Sequence, residues 1–229
     1  MWKLIKMEWK KNSLGKMIRN AAIMTAGILF FVLMTAGVAG ADVTTRGFFD
    51  KSFIHASVEL YAHISYMIFT GVLLAGYVVD DYKRGTIRLL FSYPVKRKKL
   101  VLAKVFAVWI FSFTALIVSK LLMYAVALAT RNLTHISASD IPYGYWLFWV
   151  ELILSAAAMV SISFIALPVG MKMCSSKATV VSSILIVCFT QGNIGEFTLV
   201  NSVPFYVVLF VLAIVSVILA IYNVETKDV

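Results

Sequence analysis

Three side chains with metal-binding chemistry recur at one spacing in the first half of the chain. His55, Glu59 and His63 stand four residues apart, which places them on one stripe of a helix, and His and Glu are ordinary zinc ligands. The stripe extends over two turns, about 12 Å, which is too long for all three to reach one ion without distortion. We therefore expect residues of the external interface, or a polar vestibule around Glu59, rather than a shared metal site.

Three charged residues lie within apolar segments or at their ends, namely Glu59, Lys120 and Glu151. Charges in hydrocarbon are costly and usually pair or face water. Lys120 is ten residues from Thr130 and Glu151 six from Tyr145, a depth difference of about 6 Å that the lysine side chain can cover. We expect Lys120 to pair with Glu151, with Glu59 as the next candidate, in a structural role rather than in direct contact with a substrate.

The elements that position these residues are apolar helices. Hydrophobic residues make up 61% of the chain and charged residues 14%, with a mean hydropathy of +0.90, which excludes an ordinary soluble domain. Continuous runs of about 20 apolar residues predict membrane-crossing helices and exclude an outer-membrane barrel. The predicted fold is an all-α membrane protein with six transmembrane helices, at Asn20–Ala41, Val58–Val79, Val105–Thr130, Tyr145–Gly170, Ala178–Thr190 and Phe205–Asn223.

The fifth apolar run is the shortest, and the connector after it is only mildly polar. Irregular backbone at membrane depth is tolerated where protein or water covers it. We leave open whether the connector 191–204 re-enters the membrane.

Basic residues set the orientation of the spans. Most of the 21 Lys and Arg residues flank the segments on the side of the N-terminus, so the positive-inside rule predicts a multi-pass protein of the cell membrane with both termini cytoplasmic. These residues contact anionic lipid headgroups. The net charge of +10 is therefore no sign of a nucleic-acid partner.

The chain divides into three parts around these spans. Residues 1–19 predict a cytoplasmic amphipathic helix, because Trp2, Ile5 and Trp9 share one face among lysines. Residues 20–223 form the six-span domain, and residues 224–229 a cytoplasmic tail. Ala39–Ala41 resembles a signal-peptide cleavage site, but the apolar run before it is longer than such peptides carry, so a retained span is favoured.

The longest and most basic cytoplasmic connector follows the second predicted span. Its middle, RGTIRLLFSYP, begins near Gly85, carries apolar Leu89, Leu90 and Phe91, and stops at Pro94, which predicts a helix of about two turns. An apolar face with a basic rim suits a groove on another protein. A basic loop that serves only topology is the alternative that these residues leave open.

This connector resembles the signature between the second and third spans of type-2 ATP-binding-cassette (ABC) exporter permeases. That signature has an acidic residue, a Gly-Thr pair, two leucines, a proline, a basic cluster and a lysine entering the next span. The amphipathic N-terminal helix, six spans and cytoplasmic ends are similar to the family as well. The matching positions are Asp81, Gly85, Thr86, Leu89, Leu90, Pro94, Arg97, Lys98 and Lys104. The family usually has glutamate where Asp81 stands.

The resemblance implies that residues 84–91 are a coupling helix that docks on a separate cytoplasmic ABC ATPase. It also implies a second permease copy or a close homologue. The chain has no G-x-x-x-x-G-K-[ST] stretch, so we expect a non-catalytic subunit that binds no cofactor, with ATP and Mg held by the partner. The residues expected to couple to the ATPase are Asp81, Arg84, Gly85, Thr86, Arg88, Leu89, Leu90, Phe91 and Pro94.

Two functions of different classes follow. The favoured one is the permease subunit of an ATP-driven exporter of an amphipathic substrate, such as an antimicrobial peptide, a lipid or a drug; the direction rests on the resemblance. The alternative is an ion-coupled secondary transporter that uses Glu59, Lys120 and Glu151. Such transporters often carry two related halves, and no repeat relates the first three predicted spans to the last three.

Overall fold

The computed structural model describes residues 14–41, 53–83, 97–130, 146–194, 197–198 and 203–226. Almost all of these residues are helical, as backbone in a membrane requires when its polar groups must be satisfied internally. The helices are α1 Leu14–Ala41, α2 Phe53–Leu74, a π-helical turn Ala75–Val79, α3 Asp80–Lys83, α4 Arg97–Ala129, α5 Trp146–Ser163, α6 Ala166–Met173, α7 Ser176–Gln191 and α8 Val203–Thr226. Two strands of two residues, β1 Asn193–Ile194 and β2 Phe197–Thr198, pair antiparallel.

Within the described residues, four helical segments are long and apolar enough to cross a membrane. Two further apolar stretches are shorter, Ser176–Gln191 and Val207–Tyr222. The prediction of a helical multi-pass membrane protein is therefore confirmed, and the count of six spans stays a prediction. The four long segments are Gly15–Thr35, His55–Val79, Val101–Ala129 and Trp146–Met173.

Several sequence predictions lie outside the described residues. Of the helix predicted over residues 1–19, the structure describes Leu14 onward, and these residues belong to α1. The predicted coupling helix at residues 84–91 is not among the described residues, and neither is the end of the C-terminal tail. The strand pair β1–β2 lies in the connector 191–204, for which the sequence left a re-entrant path open.

Helix boundaries extend beyond the apolar runs that predicted them. Helix α2 begins at Phe53 instead of Val58, and α4 begins at Arg97 instead of Val105. Lys and Arg have high helix propensity, so the basic stretch before the third apolar run continues its helix. A hydropathy pattern marks the part of a helix that suits hydrocarbon, not the whole helix.

A break separates α5 from α6 inside the fourth predicted span. Pro168 has no N–H to donate to the carbonyl of Phe164, and that carbonyl accepts a 3.0 Å bond from Leu167 N–H instead. Pro168 thus stands in the first turn of α6, where a missing donor is tolerated. Helix α6 ends at Cys174, whose φ of 46° is left-handed and turns the chain into α7.

The chain forms two compact units, and helices α2, α4 and α5 each contribute a part to both. The first unit contains Tyr66–Phe113 and Ala157–Val229, and the second contains Gly15–Ser65 and Thr114–Ala156. In the first unit, α6 and α7 pack on the π-helical turn and α8 packs on α6.

Small residues allow close helix packing in the first unit. A Cβ atom at Gly170 would collide with the side chain of Thr179 on α7 and would lie 3.2 Å from Val79 Cγ2 in the π-helical turn. A Cβ atom at Gly71 would likewise meet Ser183. Small residues at such crossings are the usual means of packing helices in membranes.

Candidate functional site

The second unit contains a buried polar cluster centred on Lys120. The side chain of Lys120 is fully buried, and its Nζ donates to Glu59 Oε2 at 2.6 Å and to Ser155 Oγ at 3.0 Å. Nζ also lies 3.0 Å from His63 Nε2, which can accept the third proton in the tautomer that carries its hydrogen on Nδ1. Helices α2 and α5 thus supply a complete set of partners for the ammonium group that α4 carries.

The cluster continues through Tyr124, one turn along α4 from Lys120. The Tyr124 hydroxyl donates to Glu59 Oε1 at 3.4 Å and lies 2.7 Å from His55 Nδ1. Because a hydroxyl has a single hydrogen, His55 Nδ1 is the donor whenever Tyr124 donates to Glu59. The rings of His55 and Tyr124 stack with centroids 6.0 Å apart, and Phe148 packs against both.

The predicted pairing of Lys120 with Glu151 is wrong: in the described part of the chain its carboxylate partner is Glu59, and Glu151 is exposed on α5. The physical reason is the start of α2. Because this helix begins at Phe53, Glu59 is not at its first residue but six residues further on. This places Glu59 about 9 Å along the helix axis from the start of the helix. Ser155, one turn along α5 from Glu151, is the residue of that helix that reaches Lys120.

The stripe of His55, Glu59 and His63 belongs to this cluster. Glu59 Oε2 and His63 Nε2 are 3.0 Å apart, with the Lys120 ammonium in contact with both. Among the described residues, no three His, Cys, Asp or Glu side chains are placed to hold a metal ion. In the second unit these residues form a buried polar cluster around the Lys120 ammonium.

Sequence reasoning missed Tyr124 and Ser155. Each stands four residues after a residue that was singled out, Tyr124 after Lys120 and Ser155 after Glu151, and residues at that spacing share a helix face. A search for hydroxyl-bearing neighbours one turn from each intramembrane charge could have found both.

The electrostatics of the cluster favour a structural role, in which it holds helices together. The positive charge of Lys120 is balanced by Glu59, and its three protons have acceptors within 3.0 Å. Removing one member of a buried ion pair typically costs about 3–5 kcal/mol, because the other charge is left uncompensated. The cluster can therefore fix α2, α4 and α5 to one another within the second unit.

The first unit contains a second polar site at the entry to the basic connector. Asp81 forms an ion pair with Lys104, whose side chain is 3% exposed. Lys104 Nζ also donates to the Tyr77 carbonyl at 3.4 Å, and the Ser176 hydroxyl donates to the carboxylate of Asp80. Of the residues predicted to couple to an ATPase, Asp81 lies in the described part of the chain and the others, at positions 84–94, lie outside it.

The helical fold and the sequence comparisons define a class, the multi-pass membrane proteins of ABC transporters. A family profile described as "ABC-2 family transporter protein" matches residues 4–193, well over half of the chain. The protein belongs to the ABC-2 transporter family, which confirms the resemblance seen in the basic connector.

The chain is also similar to the uncharacterized protein YcbO of Bacillus subtilis (strain 168). The two are 25% identical over 235 residues, a match that covers 98% of this chain and 99% of the relative. The search of solved structures found no match.

Proposed function

We propose that this protein is the permease subunit of an ATP-driven exporter that pairs with a separate cytoplasmic ABC ATPase and with a second permease copy or close homologue. The observation that carries the proposal is the family match over residues 4–193, which includes the basic connector. The proposed cargo is amphipathic, an antimicrobial peptide, a lipid or a drug, and the direction is outward. The proposed coupling surface is residues 84–91, framed by Asp81 and Pro94.

We assign ATP hydrolysis to the partner chain. ABC-2 permeases are typically non-catalytic transmembrane subunits, and this sequence lacks the P-loop that cradles nucleotide phosphates. ATP and Mg are therefore proposed to bind to the ATPase, with no cofactor on the permease. Family membership favours this interpretation over an ion-coupled transporter built on Glu59, Lys120 and Glu151.

Co-purification tests the proposed pairing. The chain, tagged and expressed together with the ABC ATPase encoded nearest to it, is expected to purify from detergent extracts as a complex that hydrolyses ATP. A Walker-A lysine variant of the ATPase serves as the control, since it should bind the permease and hydrolyse nothing. If the chain purifies without any ATPase and takes up substrate only when a proton or sodium gradient is imposed, the proposal is wrong and the ion-coupled alternative holds.

The proposed topology has six spans with both termini cytoplasmic. In a variant without Cys174 and Cys188, single cysteines placed near Asp50 and at Ser137 are expected to react with a membrane-impermeant maleimide in whole cells. Cysteines at Lys98 and Lys227 should react only after the cells are opened, because the Lys-rich side of a membrane protein stays cytoplasmic. External labelling at Lys98 would contradict the orientation.

A further inference from the structure

We propose that Asp80 and Asp81 are positioning residues that fasten the start of the coupling connector to two separate elements of the first unit. Asp81 holds α4 through Lys104, and Asp80 holds the start of α7 through Ser176. The inference rests on the proposed function: if residues 84–91 couple to the ATPase, the conformational change of the ATPase would move the connector that contains them. A displacement of the connector would then reach both elements at once.

The first attachment ties together the two helices that the connector joins. Lys104 lies seven residues into α4, two turns beyond the end of the connector, and Asp81 lies two residues before the last residue of α3. With Lys104 3% exposed and Asp81 20% exposed, a separated pair would leave a buried ammonium without its anion, which is strongly unfavourable. The ion pair therefore resists any movement of α3 that leaves α4 behind.

The π-helical turn strengthens this attachment. The N–H of Asp80 bonds to the carbonyl of Ala75, five residues back, and the carbonyl of Tyr77 in the same turn accepts from Lys104 Nζ at 3.4 Å. Single π-helical turns inside α-helices are rare and occur frequently at functional sites. Lys104 thus contacts the carboxylate of α3 and the backbone of the turn before it.

The second attachment leads to the corner between α6 and α7. Ser176 is the first residue of α7 and follows the left-handed Cys174, whose N–H bonds to the carbonyls of Gly170 and Met171. Gly170 in turn packs close to the π-helical turn, because a Cβ atom at this position would lie 3.2 Å from Val79 Cγ2. Closely packed interfaces pass on displacements as discrete shifts and do not absorb them.

Asp80 and Asp81 are consecutive residues of the short helix α3, and this explains how they contact two different elements. Consecutive residues on a helix point about 100° apart, so Asp80 and Asp81 face different neighbours although they are covalently linked. Substituting one of them should interrupt one attachment and spare the other.

Hydrogen exchange on the whole complex tests this branching. The permease–ATPase complex is compared without nucleotide and with ATP plus vanadate, and exchange is followed by mass spectrometry in residues 97–113 and 166–191. In the unmodified complex, nucleotide should change exchange in both segments. Asp81→Asn should shrink the change in 97–113, and Ser176→Ala the change in 166–191, each by about 2- to 30-fold, the usual range for residues of a coupled network. The control is Glu151→Gln, which deletes a carboxylate of the second unit. It should leave the nucleotide-dependent change in both segments as it is in the unmodified complex.

Segment-specific loss separates positioning from simple stabilisation, because a merely structural defect would lower the melting temperature and affect both segments together. If Asp81→Asn impairs folding by stranding Lys104, the Asp81→Asn/Lys104→Gln double variant removes both charges and should show the same selective loss. If the variants keep the full nucleotide-dependent change in exchange in both segments, the inference is wrong and the proposed function is unaffected. Failure of the unmodified chain to bind an ATPase would overturn the proposed function, and this inference with it.

Discussion

Replacing Leu90 with aspartate is expected to abolish productive coupling to the ATPase. Leu90 is proposed to be an apolar contact of the coupling helix, and burying a leucine side chain contributes about 1.5–3 kcal/mol. The aspartate would lose that contact and add a desolvated charge, which costs further free energy unless it is paired. A total of about 3–4 kcal/mol corresponds to an affinity loss of roughly 100- to 1,000-fold. Titration of detergent-solubilised permease with purified ATPase measures this loss, and ATP-driven transport should fall with it.

Two variants of the same connector serve as controls. Leu90→Met keeps an apolar side chain of similar volume and should bind within a few fold of the unmodified protein. Lys98→Ala removes a charge from the basic rim, where exposed ion pairs are typically worth about 0–1 kcal/mol. Full association and transport by Leu90→Asp would show that residues 84–91 are not the coupling helix.

Composition predicted the helical membrane fold because hydrocarbon leaves the backbone few alternatives. Helix ends were less accessible to sequence reasoning. The start of α4 at Arg97 instead of Val105 reflects the helix propensity of Lys and Arg, which hydropathy ignores. The break before α6 could have been anticipated from Pro168, since proline removes an interior hydrogen bond.

The carboxylate partner of Lys120 could not be identified by counting residues along the sequence. Counting residues from span ends estimated depth, and depth alone favoured Glu151. It could not supply the direction in which a side chain points, which turns by about 100° with each residue, nor the earlier start of α2 that carries Glu59 inward. Both quantities depend on how α2, α4 and α5 contact one another within the second unit.

The attachments of Asp80 and Asp81 depend even more on tertiary structure. The sequence marked Asp81 and Lys104 through a family resemblance, without the ion pair between them. Nothing in the run AGYVV predicts a π-helical turn. The lysine that donates to its Tyr77 carbonyl lies 27 residues away in the sequence. Ser176 carried no signal at all, since a serine at the start of a helix has an ordinary capping explanation.

The ion pair between Glu59 and Lys120 should dominate the stability of the second unit. Glu59→Gln and Lys120→Met each leave one buried charge uncompensated, so each is expected to lower the free energy of unfolding by about 3–5 kcal/mol. The double variant leaves no charge behind and should lose clearly less than the sum of the two single losses. Denaturation in mixed micelles, followed for all four proteins, gives the interaction free energy directly.

Glu151 provides the matched comparison for this cycle, because it is a carboxylate on α5 that is exposed and forms no ion pair with Lys120 among the described residues. Glu151→Gln alone should change the free energy of unfolding by no more than about 0.5 kcal/mol. Combined with Lys120→Met, it should give a much smaller interaction free energy than Glu59 does, because the exposed Glu151 acts on Lys120 through its charge at a distance and makes no hydrogen bond to it in the described part of the chain. Additive losses for Glu59 and Lys120, together with strong coupling between Glu151 and Lys120, would reverse the assignment and restore the pairing that depth alone predicted.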